Sequence, residues 1–541
     1  MKFKLSFIFI FFLALVLRLI NISPFKFYPD AYQNLIVAQN ILNYHSVLGF
    51  LGKEGTLYPD FFMWTRPIYP LLIVMFNFLI KNESLAAQIV ATLTSILSIP
   101  VAYLFIFKIF NSKLTAILGA ILLTISFNHT VWSGFIYTES TGIFILFIFL
   151  WLLISNLKKA SVVLDLKDLL KGVIFSLAVF TRYEYIILFL PTFFIIFKES
   201  QKPQVKIVNI LIGFLIGGSI IFSLLFPIKE TLFIIYQQMQ SLIQIGAIFL
   251  AVFFFLVILL KFIPGKFKNE VVNLLTIFLS LLVLLFVSLT DPTAFVKFFS
   301  TDFFLGILTI LGIIFLLFDK KYQNLNLFSV LGVSLLIPIY YKINPQMQRY
   351  LTHLIPFLLI PASYGFFKIL NLLNSQKLYK YPLAFLVISL AVLQIAITAI
   401  GIRFWNQGVW FRQSYEEKSA NILKTKIESS NRLLLASFPE SYYFFTNIST
   451  HSLTNEYPFI YIDDSLNSKP IYIIEDMGMH DLFPNFSNFL DKNMSNFIKE
   501  KYWVREIYHY SIRSKVEDKP VIIYEVSVNQ LKGILKNSTA L

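Results

Sequence analysis

Six charged residues sit in or beside long apolar runs of this chain: Asp30, Arg66, Glu139, Arg182, Glu184 and Arg349. A charge at membrane depth costs about 2.5–3.5 kcal/mol even on the mildest insertion scales, so each is by default a candidate for function. A carboxylate there can take a proton from an attacking hydroxyl, and a guanidinium can hold a phosphate through its planar fork of donors. Each residue also has a plainer reading. Asp30, in Tyr28-Pro29-Asp30-Ala31-Tyr32, is a helix N-cap or a general base, and a capped helix end could fix the base. Arg66, in Trp64-Thr65-Arg66-Pro67-Ile68-Tyr69-Pro70, is an interfacial anchor or a phosphate ligand. Glu139, in Tyr137-Thr138-Glu139-Ser140, is a solvated loop acid or a site residue. Thr181-Arg182-Tyr183-Glu184 is a self-neutralising pair at a helix break or part of a site. Arg349, followed by Tyr350, snorkels to lipid phosphate or faces a bound anion. His353, one turn further on, reads as a packed polar residue.

The elements that must position these residues are set by composition. Of 541 residues, 57% are hydrophobic and 14% charged, against about 25% charged in soluble domains. That excludes a soluble globular enzyme and implies a multi-pass α-helical membrane protein with membrane lipid as its main solvent. The net charge of +15 comes largely from lysines in short loops between apolar runs, where cytoplasmic retention of positive charge accounts for them. No basic stripe with interleaved aromatics is present, so nucleic acid is excluded as a partner. Cysteine is absent, which removes disulfides, thiol catalysis and Cys-ligated metal. No His/Asp/Glu cluster has metal-ligand spacing, and Asp291 with Asp302, assigned to an outer loop, is too weak a pair to argue a metal. No cofactor is indicated, nor any Gly-rich phosphate loop, nucleophile elbow or Ser/His/Asp arrangement.

Lysine loops at 158–171, 198–206, 261–268, 320–321 and 377–380 mark the inner side, with the N-terminus cytoplasmic. The first span covers residues 5–22. Residues 67–80 are too few to cross and lie at the outer interface, at the end of a first outer loop spanning about 23–84. Runs at 85–107 and 114–130 follow. Residues 172–197 are too few for two full spans, so two half-length helices meet at the polar break 181–184. The runs 207–227, 243–260, 271–289, 303–318, 327–341, 351–370 and 383–402 complete about thirteen segments. An odd number puts the remainder outside. This divides the chain into a membrane domain, residues 1–403, and a small extracytoplasmic α/β domain, residues 404–541. The latter has strands near 432–437, 458–462, 470–474 and 520–526 and a helix near 415–429. The six charged residues then fall on the outer side, where arginine is the reverse of what topology alone would place, and call for an anionic partner.

In order and spacing these residues resemble the GT-C superfamily of integral-membrane glycosyltransferases, in particular the branch with protein O-mannosyltransferases and lipid A aminoarabinose transferases. The resemblance runs from residue 1 to about 402. It rests on Asp30 after the first span, Arg66-Pro67-Ile68-Tyr69-Pro70, Glu139 opening a later span, the glycine-led run from Gly172 to Arg182 and Glu184, and Arg349-Tyr350 before Pro356. Departures are Ala31 where many relatives have a second acid, Gln88 where relatives often have Arg, and Glu139 where aminoarabinose transferases commonly have Asp. The resemblance implies a GT-C-like fold and transfer of a sugar from a polyprenyl-phosphate donor to a hydroxyl of a glycan, lipid or protein acceptor on the outer face, with inversion, the family's common outcome. It implies Asp30 as base, Arg66 and Arg349 as donor-phosphate ligands, and Glu139, Arg182, Glu184 and Tyr350 as secondary site residues. An oligosaccharyltransferase- or ligase-like enzyme is the nearest alternative, with a divalent ion in the former; a lipid or sugar transporter is the next.

Overall fold

The computed structural model describes residues 2–22, 29–44, 66–158, 162–225, 268–290, 292–343, 348–375, 380–426, 433–436, 442, 450–452, 470–475, 490, 494–510, 513–527 and 529–530. The chain divides into two compact units, Met1–Ser23 with Arg66–Arg403, and Pro24–Thr65 with Phe404–Leu541. The part of the first outer loop from residue 24 to 65 therefore groups with the C-terminal region.

The first unit is helical. Among the described residues six helices are long and apolar enough to cross a membrane, or eight if each of two bent helix pairs is one span. The helices Glu270–Leu289 and Ala384–Arg403 expose apolar residues such as Leu281, Leu285, Phe385 and Ile388, the surface a lipid-facing helix presents. The run 243–260 lies outside the described residues.

Local sequence explains the joints. The helix Ile68–Ile80 has 13 residues, about 20 Å at 1.5 Å per residue, shorter than a hydrocarbon core. Asn82 caps the next helix, Glu83–Phe110, by accepting from Leu85 N at 3.0 Å. That helix ends on Asn111 in the left-handed region, and Ser112 at once caps Lys113–Ile125. Such a two-residue link makes the two helices neighbours.

The run 114–130, expected as one segment, is broken. Ser126 is extended, its Oγ accepts from His129 N at 3.3 Å, and the axis turns by 60°. A break in an apolar layer strands backbone groups that need partners. The carboxylate of Asp302 accepts from Phe127 N at 2.6 Å and Asn128 N at 3.1 Å. The Thr398 hydroxyl donates to Ile125 O at 2.9 Å. Fully buried Arg18 donates to the Leu123 and Thr124 carbonyls, both at 3.3 Å, and to Ser95 Oγ at 2.8 Å. Asp302, expected in an outer loop, is thus a buried cap; it also sits at a second bend, of 97°, between the helices Thr293–Thr301 and Phe303–Phe318. Asp291 lies outside the described residues.

Two lysines expected merely to mark the inner loops are buried as well. Lys171 pairs with Asp168 at 2.5 Å, and Lys206 donates to the Asn156 and Leu157 carbonyls at 2.6 and 3.0 Å. The short half-helix design appears where residue counting placed it: Leu166–Thr181 ends at Arg182 in extended conformation, and a tight turn Tyr183–Leu188 leads into Phe189–Glu199.

The second unit holds the helix Pro29–Tyr44 and a five-stranded sheet. Its strands are β1 (Leu433–Ala436), β2 (Thr450–Ser452), β3 (Pro470–Glu475), β4 (Ile498–Tyr510) and β5 (Arg513–Ser527), in order β2-β1-β3-β5-β4. β1 runs parallel to β2 and β3, and β5 is antiparallel to β3 and β4. Ala420, Leu423, Leu434, Tyr472, Ile474, Val521 and Ile523 form its core. The sheet follows three of the four runs read as strands; the fourth, 458–462, lies outside the described residues. The helix expected at 415–429 is not separate. One helix runs from Lys380 to Lys426, because no proline follows Pro382 to stop it.

The helices Leu166–Thr181 and Pro203–Leu225 touch through small residues. A Cβ on Gly213 would lie 2.0 Å from Leu169 O and one on Gly172 2.0 Å from Ile210 O, whereas one on Gly218 meets only the Phe180 ring at 3.5 Å. Gly213→Ala should therefore destabilise the protein by about 1–3 kcal/mol. Gly218→Ala should be neutral or stabilising by up to about 1 kcal/mol. Thermal unfolding of the two variants in detergent checks the contrast.

Candidate functional site

Glu139, Arg182, Glu184 and Arg349 meet in the interior of the first unit, joined by Arg66 at its edge. The elements that bring them together are those just described. Arg66 precedes the short helix Ile68–Ile80, whose Tyr69 hydroxyl donates to Ala87 O at 2.9 Å and fixes it to the long neighbour. Glu139 opens helix Glu139–Ser155, at the end of the irregular stretch that follows the Ser126 break. A carboxylate at a helix N-terminus lies in the favourable end of the helix dipole. Arg182 and Glu184 stand at the half-helix break, and Arg349 lies in the tight turn Gln348–Leu354 before helix Ile355–Ser375.

The pairings are crossed. Arg66 Nη2 donates to Glu184 Oε1 at 2.8 Å. Arg182 lies 3.6 Å from Glu139 and 3.9 Å from Glu184, and Arg349 lies 3.8 Å from Glu139. Only the first of these four contacts is a hydrogen bond; the others are ion pairs at a looser distance. Thr138 Oγ1 accepts from Arg182 at 3.3 Å and from Arg66 at 3.5 Å. Arg349 packs over Tyr137 and Tyr350, with its Cζ 4.6 and 4.9 Å from the ring centres, and donates to the Tyr350 hydroxyl at 3.0 Å. Arg182 lies over the same Tyr350 ring at 5.4 Å. Gly142 makes room for this, since a Cβ there would stand 3.0 Å from Arg182 Cγ.

Burial is nearly complete: exposure is 1% for Arg182, 2% for Glu139, 5% for Glu184 and 7% for Arg349. Three guanidinium groups and two carboxylates leave this set of described residues one positive charge in excess. Several polar atoms in it are buried with no hydrogen-bond partner among the described residues, namely Arg182 Nε and Nη2, Arg66 Nε and Glu184 Oε2. A buried network assembled for stability alone would be balanced and satisfied. This one is suited to receive an anion.

The secondary candidates Glu139, Arg182, Glu184 and Tyr350 thus join Arg66 and Arg349 in one cluster. Asp30 is the second residue of the helix Pro29–Tyr44, and its side chain lies outside the described residues. Gln88 is buried on helix Glu83–Phe110. Sequence reasoning passed over Tyr137, Thr138, Tyr185 and Tyr340, and took His353 for a packed polar residue. The Tyr185 hydroxyl lies 2.6 Å from His353 Nδ1, and the His353 ring packs on Tyr340, which stacks on Tyr350. Three tyrosines and a histidine within apolar runs carry no charge, so only contact with the arginines distinguishes them from core. Among the described residues no group of three or more His, Asp or Glu could hold a metal ion.

Removing Glu184 would leave three buried guanidinium groups facing one carboxylate among these residues. Glu184→Gln should cost about 3–5 kcal/mol of stability, and adding Arg182→Met, which restores the original balance of charge, should recover most of it. Equilibrium unfolding in mixed micelles distinguishes this from a local packing effect, for which the added substitution would bring no recovery.

Residues 65–228 match the family model of dolichyl-phosphate-mannose-protein mannosyltransferases, a stretch that holds Arg66, Glu139, Arg182 and Glu184. No curated protein matches the chain in sequence. In structure the chain is similar to ArnT from Cupriavidus metallidurans in the apo state, with TM-score 0.53 and 10% identity, over 97% of this chain and 98% of that one. ArnT from the same organism bound to undecaprenyl phosphate matches with TM-score 0.52 and 10% identity, over 96% and 97%. The archaeal oligosaccharyltransferase AglB from Archaeoglobus fulgidus, in complex with an inhibitory peptide and a dolichol-phosphate, matches with TM-score 0.51 and 11% identity, over 98% of this chain and 76% of that one.

Proposed function

The chain has the fold of the GT-C superfamily of integral-membrane glycosyltransferases, and on that premise we propose that it transfers a sugar from a polyprenyl-phosphate donor to an acceptor hydroxyl. The observation that carries the reading is the excess of one buried positive charge that Arg66, Arg182 and Arg349 hold over Glu139 and Glu184 among the described residues. A polyprenyl-phosphate sugar is a phosphodiester with one negative charge, which balances that excess. When the sugar C1–oxygen bond breaks, polyprenyl phosphate leaves as a monoester and gains further charge. Arginines fixed in a water-poor site stabilise that change without reorganising. Arg349 and Arg66 hold the phosphate in this reading, with Arg182 at their centre.

The acceptor hydroxyl attacks C1 from the face opposite the phosphate, which inverts the anomeric carbon, and its proton passes to the Asp30 carboxylate. The acceptor is a glycan, a lipid or a protein. The N-terminus is cytoplasmic and the C-terminal domain extracytoplasmic, so transfer takes place on the outer face, where a lipid-borne donor enters from the outer leaflet. The likeness to AglB supports a second reading, transfer of an oligosaccharide. Loss of activity on chelation of divalent ions would select it.

Two substitutions separate the roles. In membranes supplied with a labelled polyprenyl-phosphate sugar, Asp30→Asn should lower turnover about 10²–10⁴-fold while donor binding persists. Arg349→Gln should weaken donor binding and turnover together. Full activity in Asp30→Asn would remove Asp30 as base. Mass spectrometry of glycans and glycoproteins after deletion of the gene identifies the sugar and the acceptor.

A further inference from the structure

We infer that Tyr185, Tyr340, Tyr350 and His353 form the subsite for the donor's sugar, and that this subsite recognises a neutral pyranose through its hydroxyls. The inference rests on the donor reading above and adds the substrate class to it. In a phosphodiester donor the sugar is one bond from the phosphate, so its subsite must adjoin the arginines. Tyr350 supplies that join. Arg182 and Arg349 lie over its ring at 5.4 and 4.9 Å, while Tyr340 stacks against it with centres 6.0 Å apart and planes 8° from parallel. Beyond Tyr340 come the His353 ring at 5.6 Å and then the Tyr185 ring at 5.4 Å from His353. Charged groups thus give way to neutral polar ones within two side chains.

The chemistry of these groups favours hydroxyls over an anion. Tyr185, Tyr340, Tyr350 and His353 are all more than nine-tenths buried. The Tyr340 hydroxyl and His353 Nε2 have no hydrogen-bond partner among the described residues. A buried polar atom left in that state is costly. The Tyr185 hydroxyl lies 2.6 Å from His353 Nδ1, so Nε2 is a donor in one tautomer and an acceptor in the other. A sugar hydroxyl both donates and accepts, and satisfies either tautomer as well as the Tyr340 hydroxyl. A phosphate oxygen only accepts. A cationic amino sugar would need a carboxylate whose charge is not already balanced, and both at hand face arginines: Glu184 accepts from Arg66 at 2.8 Å and lies 3.9 Å from Arg182, and Glu139 lies 3.6 Å from Arg182 and 3.8 Å from Arg349.

The test uses the full chain in lipid nanodiscs and compares the affinities of four probes by native mass spectrometry. These are undecaprenyl phosphate, its mannose and glucose phosphodiesters, and its 4-amino-4-deoxyarabinose phosphodiester. At least one neutral-sugar lipid should bind more tightly than undecaprenyl phosphate alone. Tyr340→Phe and His353→Asn should each cut that preference about threefold to tenfold, leaving undecaprenyl phosphate itself unchanged within about twofold. Undiminished binding of the bare lipid also reports that the variants are folded, and Tyr340→Phe, which removes one buried oxygen, carries the test if His353→Asn does not fold. The inference is overturned if the amino-sugar lipid binds best, if neither neutral sugar improves on the bare lipid, or if the variants weaken all probes equally. Failure of the unaltered protein to bind any of the four lipids would instead overturn the donor reading on which it rests.

Discussion

Three arginines held out of water are the constraint around which the membrane unit is arranged. Among the described residues Arg66, Arg182 and Arg349 form ion pairs with Glu139 and Glu184. Each of the five groups pays a desolvation cost of several kcal/mol, and loose contacts of 3.6–3.9 Å return only part of it. The rest must come from the surroundings. Thr138 places one hydroxyl oxygen between two arginines, Tyr137 and Tyr350 offer ring faces to Arg349, and Gly142 clears the space that Arg182 occupies. Among the described residues the cluster carries one more positive than negative charge, the condition under which an anionic substrate improves the electrostatics of the folded protein.

Irregular backbone is what lets these charges converge, and each irregularity has its own buried polar support. Helices supply side chains from one face only, so a site fed by four segments needs breaks. The break at Ser126 is stabilised on its N–H side by Asp302 and on its carbonyl side by Arg18 and Thr398. From that fixed point the chain runs through Tyr137 and Thr138 to Glu139. The break at Arg182 is spanned by the cluster itself. Asp302 and Arg18 are thus charges used for architecture, while Arg66 and Arg182 keep buried N–H groups without a hydrogen-bond partner among the described residues, and the difference lies in whether their hydrogen-bonding capacity is filled.

This distinction explains what the sequence made legible. Arg66, Glu139, Arg182, Glu184 and Arg349 stand out because each is an ionisable group amid apolar residues, and the half-helix break at 182 follows from counting residues between lysine loops. The crossed pairing does not follow, since Arg66 and Glu184 are separated by 118 positions. Nor does the role of Asp302, which in sequence resembles any loop acid after Asp291. Ser126 and the tyrosines lack a signal because uncharged polar residues in apolar runs are common, and only their neighbours in space give them meaning. The continuity of the helix Lys380–Lys426 does not follow either, because the loss of hydrophobicity after residue 403 reads as the end of a helix.

Identity of 10–11% with the ArnT and AglB structures, over nearly the whole of this chain, has a physical reading. Lipid-facing positions demand only apolar side chains, so Phe, Ile, Leu and Val exchange freely there without altering the helix arrangement. The fold therefore persists while sequence drifts, and fold alone says little about chemistry. The demanding positions are few: small residues where helices touch, buried polar groups where helices break, and the charges at the site. In this chain the first kind is represented by Gly172 with Gly213 and the second by Arg18 with Asp302. The third is the arginine cluster, whose unfilled donors, lying beside neutral tyrosines and a histidine, distinguish a ligand site from a merely well-packed interior.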